Sequence, residues 1–212
     1  MLENFQLNGK IMGTIPQYIS KDNGKKWIPV VSMEHTFFQI SELKSIDKLP
    51  TTLTSLHGTF FGCVNLVKCG KLPDTISDIQ GAFFQCEELQ EIPNIPTNTT
   101  NMQQTFAFCK KIKSCPTLPD SVTIMISTFE GCEELQEVKN IPKNVSNMYT
   151  TFRYCNKLQG NIRIDANPSE YYGCFCDCAI DDNAYLKIYG DSTILNELLE
   201  SKSATSKIEI IK

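Results

Sequence analysis

Hydrophobic residues recur along most of this chain with a period of 23 residues. One column holds Met33, Leu56, Ile79, Met102, Met125, Met148 and Tyr171, and phenylalanine follows four residues after each of these positions. A fixed period of this length is typical of stacked copies of one small unit, each of which buries its apolar columns against its neighbours. The pattern therefore predicts an α/β-type repeat solenoid.

The period also predicts the boundaries of the solenoid. Units begin at residues 33, 56, 79, 102, 125 and 148, which gives a solenoid over 33–170. Residues 1–32 do not follow the period and are predicted to form an N-terminal cap with a short strand or hairpin, since the ends of a solenoid need a cover. Residues 171–212 are predicted to form a degenerate seventh unit and a C-terminal cap, with strands at 161–164, 185–189 and 207–211 and a helix from 191 to about 201.

Inside one unit, apolar residues recur at every third position, which is neither a helix period nor a strand period. Such a coil changes direction several times per turn. We expect a short parallel strand in the Leu-x-x-Ile-x-x-Leu segment, a second extended stretch through Val-x-x-Met, and a brief helical or 3₁₀ turn in Thr-Phe-x-x-Cys. Proline cannot donate a ladder hydrogen bond, so one column should mark where each strand ends: Pro50, Pro73, Pro96, Pro119 and Pro142.

The ten cysteines follow the repeat rather than a disulfide pattern. Six occupy one column, and Cys69 and Cys115 share another. Stacked side chains point the same way, which suits the S–S torsion poorly, and a free cysteine behaves as a small buried hydrophobe. We expect reduced thiols, which are typical of a cytosolic compartment or an anaerobic surface. The expected core ladder is Phe60, Phe83, Phe106, Phe129, Phe152, Cys63, Cys86, Cys109, Cys132 and Cys155.

Charge and composition exclude some classes of function. The net charge of −4 argues against the basic face that a nucleic-acid partner requires. No apolar run approaches the roughly 18 residues of a membrane span, so we expect no membrane insertion. The segment from Met1 to Lys10 shows no secretory signal, so the cytoplasm stays an alternative to a surface location.

Residue types with catalytic or metal chemistry are few. Cys174, Cys176 and Cys178 lie close together, but zinc sites usually show C-x₂₋₄-C pairs with a second pair or histidines. The two histidines, His35 and His57, would need an exposed thiol to form a nucleophilic pair, and the thiols are predicted to be buried. We therefore predict no catalytic residue, no metal and no cofactor.

Two sets of positions are candidates for binding. Polar positions of the predicted strand segment are the default binding face of a curved solenoid, although a merely solvated sheet has the same mixture of charges: Lys68, Lys71, Glu91, Asn94, Lys113, Thr117, Glu137, Asn140 and Arg163. The second set is aromatic and either forms a solvent-facing stripe for a partner or packs between turns, the interpretation we favour: Phe38, Phe61, Phe84, Phe108 and Tyr154.

The repeated pattern T-F-x-x-C-x-x-L, followed by I/L-P-x-x-V-x-x-M, resembles the BspA-like, treponemal-type leucine-rich repeats. The resemblance covers about residues 33–160 and is carried by segments such as 82–89 and 144–148. It implies a leucine-rich solenoid that bacteria use for adhesion and protein binding, often at the cell surface. We therefore expect a non-enzymatic, monomeric module that binds a protein or glycan, with a phage spacer or tail-fibre segment and an intracellular inhibitor from a mobile element as alternatives.

Overall fold

The protein forms a solenoid of about seven turns, which confirms the predicted fold class. The structure is a computed structural model that describes residues 15–20 and 26–211. Parallel bridges join successive turns at steps of 23 residues, through Ser32, Ser55, Asp78, Asn101, Ile124, Asn147 and Glu170. This bridge column is the second extended stretch that the sequence predicts. Residues 8–10 and 22–24, where Asn-Gly pairs in the N-terminal sequence indicate turns, lie outside the described residues.

The strands are short and mostly parallel, as predicted. An antiparallel hairpin of β1 (Tyr18–Ser20) and β2 (Trp27–Pro29) precedes the first unit. Two separate pairs follow, β3 (Ser45–Ile46) with β4 (Lys68–Cys69) and β5 (Ser114–Cys115) with β6 (Glu137–Val138). The last sheet has the order β10-β9-β8-β7, with β7 (Asn140–Ile141), β8 (Gly160–Ile164), β9 (Leu186–Tyr189) and β10 (Ile208–Ile210).

The strand ladder is interrupted in the unit that begins at residue 79, where a proline directly follows the two positions, 91 and 92, that align with β4. Pro93 is buried and has no N–H to donate to a neighbouring unit. The next residue, Asn94, pairs with the backbone of Leu72 instead: its Oδ1 accepts from the Leu72 N–H at 2.8 Å and its Nδ2 donates to the Leu72 carbonyl at 3.0 Å. Asn140 repeats this pairing with Leu118. A side-chain amide thus joins the units at every second turn.

The segment around the buried phenylalanine is a series of turns and not the helical or 3₁₀ turn that the sequence suggests. The Thr105 N–H donates to the Met102 carbonyl of its own unit, but the next N–H, from Phe106, donates to Thr128 of the following unit at 3.0 Å. Because alternate N–H groups leave the unit, no continuous helix forms. Residues two and six positions after a unit start have positive φ, including Gln104, Phe108, Ser127 and Gly131.

The core consists of columns that run through all the units. The rings of Phe60, Phe83, Phe106, Phe129 and Phe152 are fully buried and stack at centroid distances from 5.3 to 5.9 Å. In the next column, each thiol from Cys63 to Cys155 donates from Sγ to the carbonyl of the phenylalanine one unit before, at 3.1 Å for Cys109 on Phe83. All ten cysteines are free.

A column of buried threonines forms a further set of bonds between units. The Thr128 Oγ1 donates to the Met102 carbonyl at 2.9 Å, and Thr59, Thr105 and Thr151 make the equivalent bond. The same carbonyl also accepts a turn N–H, from Thr105 in the case of Met102. The hydroxyl therefore adds a second donor to an oxygen that is already satisfied once.

We expect Thr128→Val to lower the free energy of unfolding by about 1 kcal/mol, the usual net contribution of one internal hydrogen bond. The Met102 carbonyl keeps its turn N–H, so the penalty of an unsatisfied group does not arise. Urea unfolding followed by circular dichroism measures the change. The exposed Thr100→Val variant is the control and should stay within about 0.5 kcal/mol of the parent protein. Equal losses in both variants would contradict the assignment.

The C-terminal region continues the stack and then folds back over it. Phe175 stacks on Phe152 at 5.5 Å, so the degenerate seventh unit shares the solenoid core. The predicted helix from 191 to about 201 is wrong in extent, because only α1 (Leu195–Leu198) is helical. Ser192 and Thr193, which could have capped an earlier start, direct their hydroxyls to the Asn167 Oδ1.

Candidate binding surfaces

The strand face carries exposed side chains of both charges. Lys68, Lys71, Glu91, Lys113, Thr117 and Glu137 are all exposed. Lys68 lies 3.4 Å from Asp47, and Lys71 lies 3.7 Å from Asp74. Exposed pairs of this kind contribute at most about 1 kcal/mol, so these groups stay accessible to a partner. The face is polar along its length.

The other three predicted strand-face residues have partners within the chain. Asn94 and Asn140 hold neighbouring backbone groups through both amide atoms. The Arg163 Nε donates to the Asp165 Oδ2 at 2.7 Å, and its second nitrogen lies 3.2 Å from Asp191. The hydrogen bond from Arg163 lowers the pKa of Asp165. These three side chains are therefore engaged within the chain, so a ligand would have to share them with their present partners.

A polar cleft of about 620 Å³ lies beside the last strands, where the segment 180–184 projects from the seventh unit. Gln136, Lys157 and Gln159 form one wall and Asp181, Asp182 and Asn183 another. The Lys157 ammonium is only 2.7 Å from Glu134, and Lys207 donates to the carbonyls of Asp181 and Asp182. Lys157 is thus paired within the chain, whereas Lys207 holds the backbone and not the carboxylates of Asp181 and Asp182.

An aromatic ladder runs along the turn segments of the first four units. We call Phe38, Phe61, Phe84 and Phe108 the phenyl ladder. The centroids of Phe38 and Phe61 are 4.8 Å apart, those of Phe61 and Phe84 are 4.5 Å apart, and Phe108 meets Phe84 edge-on at 5.6 Å. Phe38 is 42% exposed and the other three rings are half-buried. The rings therefore pack on one another and still face solvent.

The phenyl ladder ends because its column changes residue type. Ala107, Glu130 and Arg153 occupy the position in the following units, and Arg153 lies 3.9 Å from Glu130. Phe108 comes from the next column and covers Gly131. A Cβ at Gly131 would lie 2.5 Å from the Phe108 ring, and its φ of 69° also favours glycine, so this position requires glycine.

A second cleft, of about 830 Å³, lies at the C-terminal end of the turn segments. We call it the tyrosine cleft, and Tyr149, Tyr172, Arg153, Glu170, Glu197 and Glu200 are among the residues that line it. Tyr149 and Tyr172 are 44% and 70% exposed, and their rings stack at 6.1 Å. The Tyr171 hydroxyl donates to Glu197 at 3.0 Å, and this bond raises the pKa of Tyr171.

Sequence reasoning did not identify the tyrosine cleft. Tyr149 and Tyr172 follow the unit starts at 148 and 171 by one residue, so an aromatic side chain in the same column of two successive units was the available signal. The two C-terminal carboxylates of the cleft had no such signal in the sequence. Glu197 and Glu200 lie beyond the repeats and reach the cleft only because the chain folds back, with the Ser201 Oγ accepting from the Gly173 N–H at 2.9 Å.

The thiols and histidines do not assemble a nucleophile in the described part of the chain. Burial raises the pKa of Cys69 and of Cys174 to about 12, so both are neutral thiols near pH 7. Cys176 is half-buried, and its pKa is also raised by burial. The His35 and His57 rings meet edge-on at 5.4 Å, and His57 lies 3.4 Å from Asp78 rather than beside a thiol.

Among residues 15–20 and 26–211, no three His, Cys, Asp or Glu side chains are arranged to hold a metal ion. In the same residues, no helix has the length and apolarity needed to cross a membrane.

The repeated unit, its buried leucine and phenylalanine columns and its short parallel strands define a leucine-rich repeat solenoid. The family model described as "BspA type Leucine rich repeat region" matches residues 31–136 and 103–210, with six copies. The chain therefore belongs to the BspA-type leucine-rich repeat family, as the sequence resemblance indicated. No curated protein sequence matches the chain.

Solved bacterial structures share this fold. The Treponema pallidum leucine-rich repeat protein TpLRR has a TM-score of 0.68 and 22% identity, over 91% of this chain and 85% of that protein. A leucine-rich repeat protein from Bacteroides ovatus has a TM-score of 0.62 and 18% identity, over 93% and 70% of the two chains. A leucine-rich cell surface protein from Faecalibacterium prausnitzii has a TM-score of 0.61 and 20% identity, over 92% and 69%.

Proposed function

We propose that this protein is a non-enzymatic binding module whose partner is a protein that docks on the phenyl ladder. The observation that carries the proposal is the continuous stack of Phe38, Phe61 and Phe84 at the surface. Exposed apolar stripes mark interaction surfaces, and aromatic side chains are enriched at the centre of protein interfaces. The strand face has no aromatic side chain among its predicted binding residues, so it is the weaker candidate.

A location on the cell surface forms part of this proposal. One protein of similar fold is described as a leucine-rich cell surface protein, which supports a surface location for this chain. A glycan partner, a spacer role in a phage fibre and an intracellular inhibitor are the competing functions. They differ in the surface that they need, because a spacer needs no accessible side chain and a glycan would favour the polar strand face.

The chain itself supplies a substitution that removes the phenyl ladder and keeps the fold. We expect the double variant Phe61→Glu and Phe84→Arg to lose its partner, because a charged pair replaces two stacked apolar rings. Glu130 and Arg153 occupy the same column in two successive units, so the solenoid already accommodates such a pair. The measurement is capture from host cell extract and from whole bacterial surfaces with the intact protein as bait.

The matched control changes the strand face instead. The triple variant Glu91→Ala, Lys113→Ala and Glu137→Ala removes exposed side chains that hold no ion pair within the described residues. It should retain the partner that the phenyl-ladder variant loses. The opposite result would place binding on the strand face, and capture of no partner by any form would favour the spacer role.

A further inference from the structure

Of the four exposed tyrosines that follow the N-terminal hairpin, two are accompanied by a cation within the described residues and two are not. After the hairpin, the strongly exposed tyrosines are Tyr149, Tyr154, Tyr172 and Tyr185. The Arg153 guanidinium lies 4.6 Å from the Tyr154 ring centroid, and the Lys187 ammonium lies 5.7 Å from that of Tyr185. Tyr149 and Tyr172 have no such cation among the described residues and stack on each other at the mouth of the tyrosine cleft.

The charges around this pair are mostly negative. Glu170, Glu197 and Glu200 line the cleft and are all exposed, and Arg153 is its only basic side chain. The Arg153 guanidinium lies over Tyr154 and 3.9 Å from Glu130, so Glu130 offsets part of its charge. A group that enters the cleft therefore meets two electron-rich rings, one guanidinium and three carboxylates, of which that of Glu197 already accepts from Tyr171.

We propose that the tyrosine cleft binds the ammonium or guanidinium group of a lysine or arginine side chain on a partner polypeptide. A cation within about 6 Å of an aromatic ring centroid is attracted by the ring quadrupole, and neighbouring carboxylates add a direct charge interaction. The 6.1 Å between the two ring centroids is too short for an ammonium group to lie between them, so the cation lies beside the pair. The cleft volume of about 830 Å³ admits a whole basic side chain.

A polypeptide is the source of the cation that the surface favours. The phenyl ladder and the tyrosine cleft both lie on the turn segments, the first on the units that begin at 33 to 102 and the second on those that begin at 148 and 171. One extended partner could contact apolar rings at one end and deliver a basic side chain at the other. The inference thus names the partner chemistry of the proposed function and rests on that proposal.

The test is a titration of the full-length protein with the capped peptide N-acetyl-glycyl-lysyl-glycinamide, followed by NMR of isotope-labelled tyrosine rings. We expect saturable shifts of the Tyr149 and Tyr172 signals and none with the peptide whose lysine Nε is acetylated, since acetylation removes the charge. The double variant Tyr172→Ala and Glu200→Gln should bind about tenfold more weakly. High salt should also weaken binding.

The variant Tyr185→Ala is the matched control, because Tyr185 is exposed but already holds Lys187. It should bind the lysine peptide like the parent protein. Equal binding of the acetylated peptide, or unchanged binding by the Tyr172→Ala and Glu200→Gln variant, would overturn the proposal. Tighter binding of tetramethylammonium than of the lysine peptide would also overturn it, since the ligand would then be a small quaternary amine.

This experiment separates the cleft from the phenyl ladder. The Phe61→Glu and Phe84→Arg variant leaves the cleft intact and should bind the lysine peptide normally. If that variant still captures the partner while peptide binding behaves as expected, the phenyl-ladder function fails and the cleft assignment stands. If capture depends on the ladder but the peptide does not bind, the cleft assignment alone fails.

Discussion

Raising the pH above about 9 will unfold this protein, with a midpoint at about pH 10, because the thiol ladder must stay protonated. Eight of the ten thiols are buried. Desolvation raises the pKa of Cys174 to about 12 and that of Cys109 well above its usual value of 9.0. A thiol whose pKa is raised by folding contributes its full stabilisation below the unfolded pKa and loses it as the pH rises toward the folded pKa.

The expected size of this effect follows from the number of thiols. Each thiol that ionises only in the unfolded chain lowers the free energy of unfolding by about 1.4 kcal/mol per pH unit above its unfolded pKa. Eight such groups together remove on the order of 10 kcal/mol per pH unit, which is comparable with the whole stability of a typical domain, about 5–15 kcal/mol.

Circular dichroism as a function of pH, with the ultraviolet absorbance of the thiolate in parallel, measures the transition. Tyrosine and lysine also titrate near pH 10, so the contribution of the thiols must be separated from theirs. The variant Cys109→Ala lacks one buried thiol and should show a shallower pH dependence of stability. The variant Cys176→Ala is the control, because this thiol is only half-buried. Thiolate absorbance that appears without loss of the fold would contradict the prediction.

Replacing Phe106 by alanine will lower the free energy of unfolding by about 3–5 kcal/mol, as truncation of a buried aromatic residue does. Phe106 is fully buried between the rings of Phe83 and Phe129, at 5.5 and 5.9 Å. Neither neighbour is free to fill the space, because backbone bonds between successive units hold each unit at its spacing, as the Phe83 N–H does with the Thr105 carbonyl at 2.9 Å. The loss therefore includes both the buried area and the cavity.

Chemical unfolding of the variant measures the loss, and Phe84→Ala is the matched control. Phe84 is half-buried in the phenyl ladder, so its truncation removes less buried area and should cost about 1 kcal/mol. A solenoid is held by interfaces between neighbouring units, so the cavity at Phe106 weakens the middle of the stack. Similar losses in the two variants would show that the core ring is no better packed than the surface ring.

The repeat columns made most of the fold predictable. A residue type that returns every 23 positions must meet its counterpart in the next unit, so burial of the Phe60–Phe152 and Cys63–Cys155 columns could be derived without coordinates. The proline column marks a turn and not, as predicted, the end of each strand, because within this column only Pro142 directly follows a strand. Each proline carbonyl accepts from an N–H three residues on, as Pro119 does from Val122. Asn94 and Asn140 were predicted to be binding residues because they are polar side chains in a strand segment. The sequence does not distinguish an amide that binds a ligand from one that binds the backbone of a neighbouring unit.

Both candidate binding surfaces depended on the structure. Exposure of the phenyl ladder follows from alternate N–H groups leaving the unit, which replaces the expected helical turn with turns that hold Phe61 and Phe84 at the surface. Each of these N–H groups can donate within its own unit or to the following unit. The side-chain pattern does not show which of the two partners it takes. Helix propensity alone also predicted a C-terminal helix several residues longer than the observed one. Propensity does not include the hydrogen bonds from Ser192 and Thr193 to Asn167.

The sequence by itself determined the length of the unit, the columns that are buried, the register of stacking and the places where the chain turns. It could do so because every one of these properties repeats, and repetition converts sequence spacing directly into contact between neighbours. Only the tertiary structure decided which rings face solvent and which carboxylates face Tyr149 and Tyr172. Those contacts join the repeats to the non-repeating residues 195–201, and no period relates the two regions.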